Sequence, residues 1–350
     1  MIKGFVAICS IVLLGVLAVA PGCSTKSTGA PPDLVTIRGA GSTFVAPLFQ
    51  KWCKEYHQQH SGTLVDYQAV GSGEGARQFL ADAVDFGASD AALTDEQIAS
   101  AQQGAVLVPV AAGSVVLAYN PEGMPLGLRL PRPVYVDIFL GKITRWDDAR
   151  IREANPDAKL PRRDIAVVVR LDGSGTTFAL TNHLAAVSPQ WRKSPGVGTK
   201  VGWPCGPMQA NGNQGVAGVI QRGPGTIGYV EYGIAKRAGL GMSRLQNKAG
   251  KFVEPTGTSG LATLIGTKMP ANLRVFEPDP DGPESYPIVT YSWLLLYGKY
   301  GDAKKLGALK DVVRWCLDEG QQYNESLGYI RLPPDLIAKA THALDSITTN

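Results

Sequence analysis

Three stretches of this chain bring glycine and hydroxyl residues together where an apolar, strand-like run passes into a helical one. They are TIRGAGSTFVAPLF, with Gly39, Gly41, Ser42 and Thr43; VDYQAVGSGEGARQFL, with Gly71, Ser72, Gly73 and Gly75; and VVVRLDGSGTTFAL, with Arg170, Asp172, Gly173, Ser174, Gly175 and Thr176. A turn of this kind at a helix N-terminus leaves up to four backbone N–H groups unpaired and adds about half a positive charge from the helix dipole. Glycine lets a ligand approach the backbone, and Ser and Thr supply further donors. The chemistry this suits is capture of an anion. One such turn is an ordinary helix start, because Ser and Thr are common N-caps. Three in one chain, each after a strand pattern, point to a ligand.

Two acidic segments belong with these turns. Ser89 and Asp90, in VDFGASDAALTDEQ, follow a short apolar stretch and precede a helix that Thr94 and Gln97 can close with a capping box. Asp90 is either a turn aspartate held by its own backbone or the acceptor for a proton carried by the ligand. Arg170 and Asp172 stand two apart in an extended stretch, so their side chains leave one face. The carboxylate can then brace the guanidinium for a bidentate contact with an oxyanion; the plainer reading is a surface ion pair of little energy.

Other chemistries fail on spacing. GKIT at 141–144 lacks the Ser or Thr directly after Lys that a P-loop needs, and GSGEG at 71–75 has the wrong glycine spacing for a dinucleotide fingerprint. Ser174 sits in DGSGT, outside a GxSxG frame, and His57, His60 and His183 are expected on helix surfaces, so a serine hydrolase lacks its base. Four His and five Cys include no CxxC and no HExxH, which argues against a metal site. A net charge of +4, from 34 Lys and Arg against 30 Asp and Glu, is too small for a nucleic-acid groove. An anion must therefore be bound locally.

The elements that position these residues read as α/β. Apolar runs at 34–37, 64–67, 106–110, 115–119, 165–169 and 227–230 predict strands, and helical periodicity appears at 44–57, 75–83, 95–102, 133–140, 177–186, 215–221 and 306–319. With 41 Gly and 24 Pro the chain carries many turns, yet no Pro/Ser/Gly linker divides the body into beads. Two lobes joined by strands that cross between them are the organisation expected.

Ahead of that body, Lys3 precedes an apolar run from Phe5 to Ala20, short for a membrane span of about 20 residues and suited to a secretory leader. Residues 1–22 are read as a signal peptide and 23–32 as a polar tether, with Cys23 as a lipoprotein acylation site; ordinary cleavage after a small residue is the other reading. Cys53, Cys205 and Cys316 receive no role, and any pairing among them stays open.

The segments GAGSTFVAPLFQKW, GSGEGARQF, VDFGASDAALTDEQ, FLGKITRWDDARIREANP, VVVRLDGSGTTF and GVIQRGPGTIGYVEYGIAK, in this order, resemble the phosphate-binding proteins of bacterial phosphate-specific (Pst) ABC transporters over about residues 34–340. The resemblance implies a periplasmic-binding-protein fold of type II, two α/β lobes joined by two crossing hinge strands, with residues 33–115 and 292–350 in the first lobe and 116–291 in the second. It places phosphate contacts on Thr43, Phe44, Ser72, Asp90, Arg170, Asp172, Ser174, Gly175 and Thr176. It also implies a monomeric, periplasmic or cell-surface receptor that gives inorganic phosphate to a membrane permease, with no cofactor, no metal and no catalysis. Glu74 departs from the family pattern, standing where a small residue is usual, and is expected to face solvent. The alternatives are an exported phosphatase or other hydrolase using the same pocket, and a sulfate or molybdate receptor.

Overall fold

The computed structural model describes residues 34–265 and 267–350; the leader, the tether and Cys23 lie outside them. The chain first runs through β1 (Val35–Gly41), α1 (Ala46–Gln59), β2 (Thr63–Gln68), α2 (Ser72–Leu80), β3 (Phe86–Ser89) and α3 (Asp95–Ser100). β1 pairs in parallel with β2 on one side and β3 on the other, and the helices between them supply the crossover connections that parallel pairing requires. Leu48, Trp52 and Tyr56, four apart on α1, are buried with Phe49, whose ring stacks on Tyr67 and Phe86. α3 begins with the expected capping box of Thr94 and Gln97.

β4 (Ala105–Tyr119) follows as one strand of 15 residues, where the sequence pattern predicts two. The link AAGS continues the ladder because its small side chains leave room for neighbours. A Cβ on Gly113 would lie 2.9 Å from the Phe44 ring and 3.5 Å from Tyr329.

The middle of the chain comprises β5 (Arg129–Leu130), α4 (Arg132–Phe139), α5 (Ala149–Ala154), β6 (Ala166–Arg170), α6 (Gly175–Val187), α7 (Pro189–Lys193), β7 (Met208–Ala210), α8 (Gly212–Arg222), β8 (Thr226–Glu231), α9 (Tyr232–Arg237), β9 (Gly241–Met242), β10 (Arg244–Gln246), β11 (Phe252–Val253) and α10 (Gly257–Ile265). It ends with β12 (Val289–Tyr297), β13 (Lys299–Tyr300), α11 (Ala303–Leu317), α12 (Asn324–Leu327), α13 (Pro334–Asp345) and β14 (Thr348–Thr349).

The main sheet has the order β2-β1-β3-β12-β4-β8-β6-β7, with β9 also on β4. β4 changes partner along its length: Ala105 to Ser114 pair with β12, and Val115 to Tyr119 pair with β8. β12, buried throughout, lies antiparallel between β3 and β4. These two strands join two α/β lobes. The β4–β12 register shifts between Ser292 and Trp293, a bulge that leaves Val110 without a cross-strand partner, and Gln321 Nε2 donates to the Val110 carbonyl at 3.0 Å. Cys53, Cys205 and Cys316 are free thiols.

Candidate functional site

Parallel pairing of β1 with β3 sets the ends of both strands side by side, and there Ser42 meets Asp90. Asp90 is 1% exposed and bonded to three serine side chains, from the turn after β1, from α2 and from β12. Ser42 Oγ lies 2.8 and 2.7 Å from its two oxygens, Ser292 Oγ of β12 donates to Oδ1 at 2.6 Å, and Ser72 Oγ lies 3.3 Å from Oδ2. A turn aspartate held by its own backbone would not gather such partners. Burial pushes the carboxyl up to about 6, against the opposing pull of the Ser292, Ser42 and Ser72 hydroxyls and the Arg170 charge.

Across from it, the side chain of Arg170 at the end of β6 is 2% exposed, which removes the surface-pair reading. Its Nε donates to Asp172 Oδ1 at 2.8 Å and its Nη2 donates to Asp172 Oδ2, a two-point brace of the kind the spacing predicts. The Gly212 N–H adds a bond to Asp172 Oδ1 at 3.0 Å. Burial alone would raise the Asp172 carboxyl, but the guanidinium and that N–H hold it below the usual carboxylate range. Tyr229 Oη receives the Arg170 N–H at 3.1 Å and is 2.6 Å from Thr177 Oγ1, so strand β8 steadies the end of β6.

The third turn closes on the first two. Ser174 is the N-cap of α6, its Oγ accepting from Thr177 N at 3.1 Å. Gly175 lies so close to the Asp90 cluster that a Cβ would fall 2.7 Å from Ser72 Oγ and from Asp90 Cβ. Gly73 N donates to the Gly173 carbonyl at 2.9 Å, and a Cβ on Gly71, whose φ is +97°, would come 2.3 Å from Asp172 Oδ2. Glycine is required at these approaches. Thr43 and Thr176 are drawn to one residue, Asn213 at the start of α8, whose Nδ2 donates to both Oγ1 atoms at 3.1 Å.

All nine expected contacts thus converge on one region, with one restriction. The Phe44 ring is fully buried against Tyr329, and the Phe44 carbonyl accepts from Tyr329 Oη at 2.6 Å. Only the Phe44 N–H faces the turn, where it donates to Ser42 Oγ at 3.0 Å. Glu74 is turned toward Arg77 and Gln78, whose donors hold its carboxyl down at about 2. Sequence reasoning assigns no contact to Ser42, Ser292, Asn213 or Tyr229; only Ser42 carried a signal, as a hydroxyl within the first glycine turn.

The arrangement offers helix N-termini, hydroxyls and one guanidinium as donors, together with one carboxylate as acceptor. It suits an oxyanion that carries a proton. His183, expected on a helix surface, is in fact fully buried: no residue of α6 is exposed, so the helix has no simple solvent side. Its ring nitrogens bond to Tyr135 Oη at 2.8 Å and the Pro278 carbonyl at 2.6 Å, and burial lowers it to about 4, so it does not serve as a base for Ser174. Among the described residues no cluster of His, Cys, Asp and Glu could hold a metal ion, and no helix is long and apolar enough to cross a membrane.

Residues 26–319 match the model of the PBP superfamily domain. The chain is 36% identical to the phosphate-binding protein PstS of Xylella fastidiosa (strain Temecula1) over 351 residues, 95% of each chain. It is 38% identical to PstS of Pasteurella multocida over 307 residues, 87% of this chain and 88% of the relative. In fold it is similar to a high affinity periplasmic phosphate-binding protein, PfluDING, solved with phosphate, at a TM-score of 0.72 and 23% identity over 88% of this chain and 93% of that one.

Proposed function

The chain belongs to the PBP superfamily and, within it, to the PstS phosphate-binding proteins, and from that premise we propose that it binds one inorganic phosphate between its two lobes and hands it to the permease of an ABC importer. The observation that carries this reading is the convergence of three glycine and hydroxyl turns on Arg170 and on the buried Asp90. Affinity would come from Arg170, from the N-termini of α1, α2 and α6, and from the hydroxyls of Thr43, Ser72, Ser174 and Thr176, with the Phe44 and Gly175 N–H groups and Asp172 as the brace. Asp90 accepts the ligand's proton. Sulfate has none to offer, so it would meet that carboxylate with lone pairs only.

The partner switch of β4 at Ser114 and Val115 supports lobes of 33–115 with 292–350 and of 116–291. His183, whose two ring nitrogens are taken by Tyr135 Oη and the Pro278 carbonyl, is not free to act as the histidine base of Ser174, which supports a receptor over a serine hydrolase. Calorimetric titration with phosphate, arsenate and sulfate tests the reading: phosphate and arsenate bind and sulfate does not, whereas turnover of a chromogenic phosphate ester without phosphate binding would overturn it. Scattering should show a monomer that becomes more compact with phosphate. The leader pattern and Cys23 support a lipid-anchored, periplasmic or cell-surface location. Cys23→Ala then moves the protein from the membrane fraction to the soluble one with phosphate affinity unchanged; retention in the membrane would refute the anchor.

A further inference from the structure

Asn213 is fully buried, and its backbone N–H and both ends of its side-chain amide are engaged in hydrogen bonds. Its Oδ1 accepts the Glu231 backbone N–H at 3.0 Å, which fixes the orientation of the amide. The two Nδ2 hydrogens are therefore committed to Thr43 Oγ1 and Thr176 Oγ1, each at 3.1 Å. The Asn213 backbone N–H also donates to Thr43 Oγ1 at 3.1 Å, and Arg170 Nη1 makes a longer contact, 3.4 Å, with Thr176 Oγ1.

A hydroxyl has two lone pairs and one hydrogen. At Thr43 both lone pairs are filled by Asn213, and at Thr176 they are filled by Asn213 and Arg170; every one of these partners can only donate. Neither hydroxyl donates to a protein acceptor among the described residues. The one remaining capacity of each is its O–H. We propose that Asn213 is a positioning residue that forces Thr43 and Thr176 to act as hydrogen-bond donors, so that the site presents acceptor-seeking groups before any anion arrives. The inference rests on the phosphate-receptor reading and adds to it the origin of donor polarity at two contacts that follow different strands. It also makes Asn213 a direct tie between the turn after β1 and the start of α6.

The test begins with the parent protein and phosphate, by calorimetry at fixed ionic strength. If the parent fails to bind, the receptor reading has failed, and the inference falls with it. If it binds, Asn213→Ala is expected to weaken phosphate by about tenfold, the effect of one to two hydrogen bonds losing their orientation. Asn213→Asp is expected to weaken it more, because an ionised carboxylate offers no hydrogens, draws both threonine O–H groups to itself and adds a like charge. The deciding measurement is made in a Thr43→Val, Thr176→Val background. With the hydroxyls gone, Asn213→Ala should change affinity by no more than about twofold. A parent-like affinity for Asn213→Ala, or the same tenfold loss in the valine background, would show that Asn213 acts only as a structural support. Where the alanine variant does not fold, Asn213→Ser, which can still donate to one threonine, takes its place in the same cycle, with a smaller loss that must also vanish in the valine background.

Discussion

Asp90 and Asp172 are carboxylates in one cluster, both withdrawn from water, and they end on opposite sides of the ordinary range. Burial pushes both up. The difference lies in the partner: Asp90 is held by serine hydroxyls, which solvate a charge without neutralising it, while Asp172 is held by a guanidinium in two-point contact. The phosphate site proposed above needs this division. One acid must keep a positive group aimed at the ligand, and the other must remain able to take the ligand's proton.

The largest expected effect comes from erasing the difference at Asp90. Asp90→Asn should admit sulfate, undetectable before, with a gain of several kcal/mol in sulfate binding and phosphate binding kept or moderately weakened. Competition titration of both proteins decides it; continued rejection of sulfate would move selectivity elsewhere in the cleft. The parent should acquire the same trait as pH falls through about 6, because neutral Asp90 donates to sulfate where ionised Asp90 repels it. The linkage has a second sign. A carboxyl raised in the folded state favours folding below its unfolded value and loses that contribution as pH rises through about 6. Ligand-free Asp90→Asn should therefore melt above the parent at pH 8 and show no such advantage at pH 4.

Breaking the other half of the comparison costs less. Arg170→Ala should weaken phosphate by about 1.5–3 kcal/mol, the usual range for a charged hydrogen bond, and Asp172→Asn by about 1 kcal/mol, since it leaves the guanidinium in place without its brace. Calorimetry checks both, and a larger loss for Asp172→Asn would mean that the carboxylate itself meets the ligand. The smallest effect belongs to Glu74, whose ion pair with Arg77 lies at the surface. Glu74→Ala should shift both melting and phosphate affinity by less than about 0.5 kcal/mol.

What could be read from residues alone was the part of the site that uses helix N-termini. Gly41, Ser72 and Ser174 announce themselves because glycine and hydroxyls before an apolar period have few other uses. The supporting side chains could not be found this way. Asn213 lies in NGNQG, which reads as one more loop, and the pattern started that helix at 215, after the residue that matters. Ser292 lies in VTYSWLLLY, a run buried on both faces and therefore without the alternation that marks a strand. Its relation to Asp90 depends on pairing between distant segments, which spacing cannot reveal. His183 is hidden from sequence reading for a similar reason: a helix covered on several sides gives no stripe from which to infer an exposed face.

The position of β12 also governs the order in which the molecule can be made. Ser292 and Asp90 bond across a separation of 202 residues, and β3 and β4 meet only through the strand that carries Ser292. During synthesis from the N-terminus both strands therefore wait with an open edge until residues 289–297 emerge, a non-local closure that is slow and exposed to wrong pairing. A nascent chain stopped just short of Val289 would contain all nine proposed ligand contacts, the last of them Thr176, without the strand that joins β3 to β4.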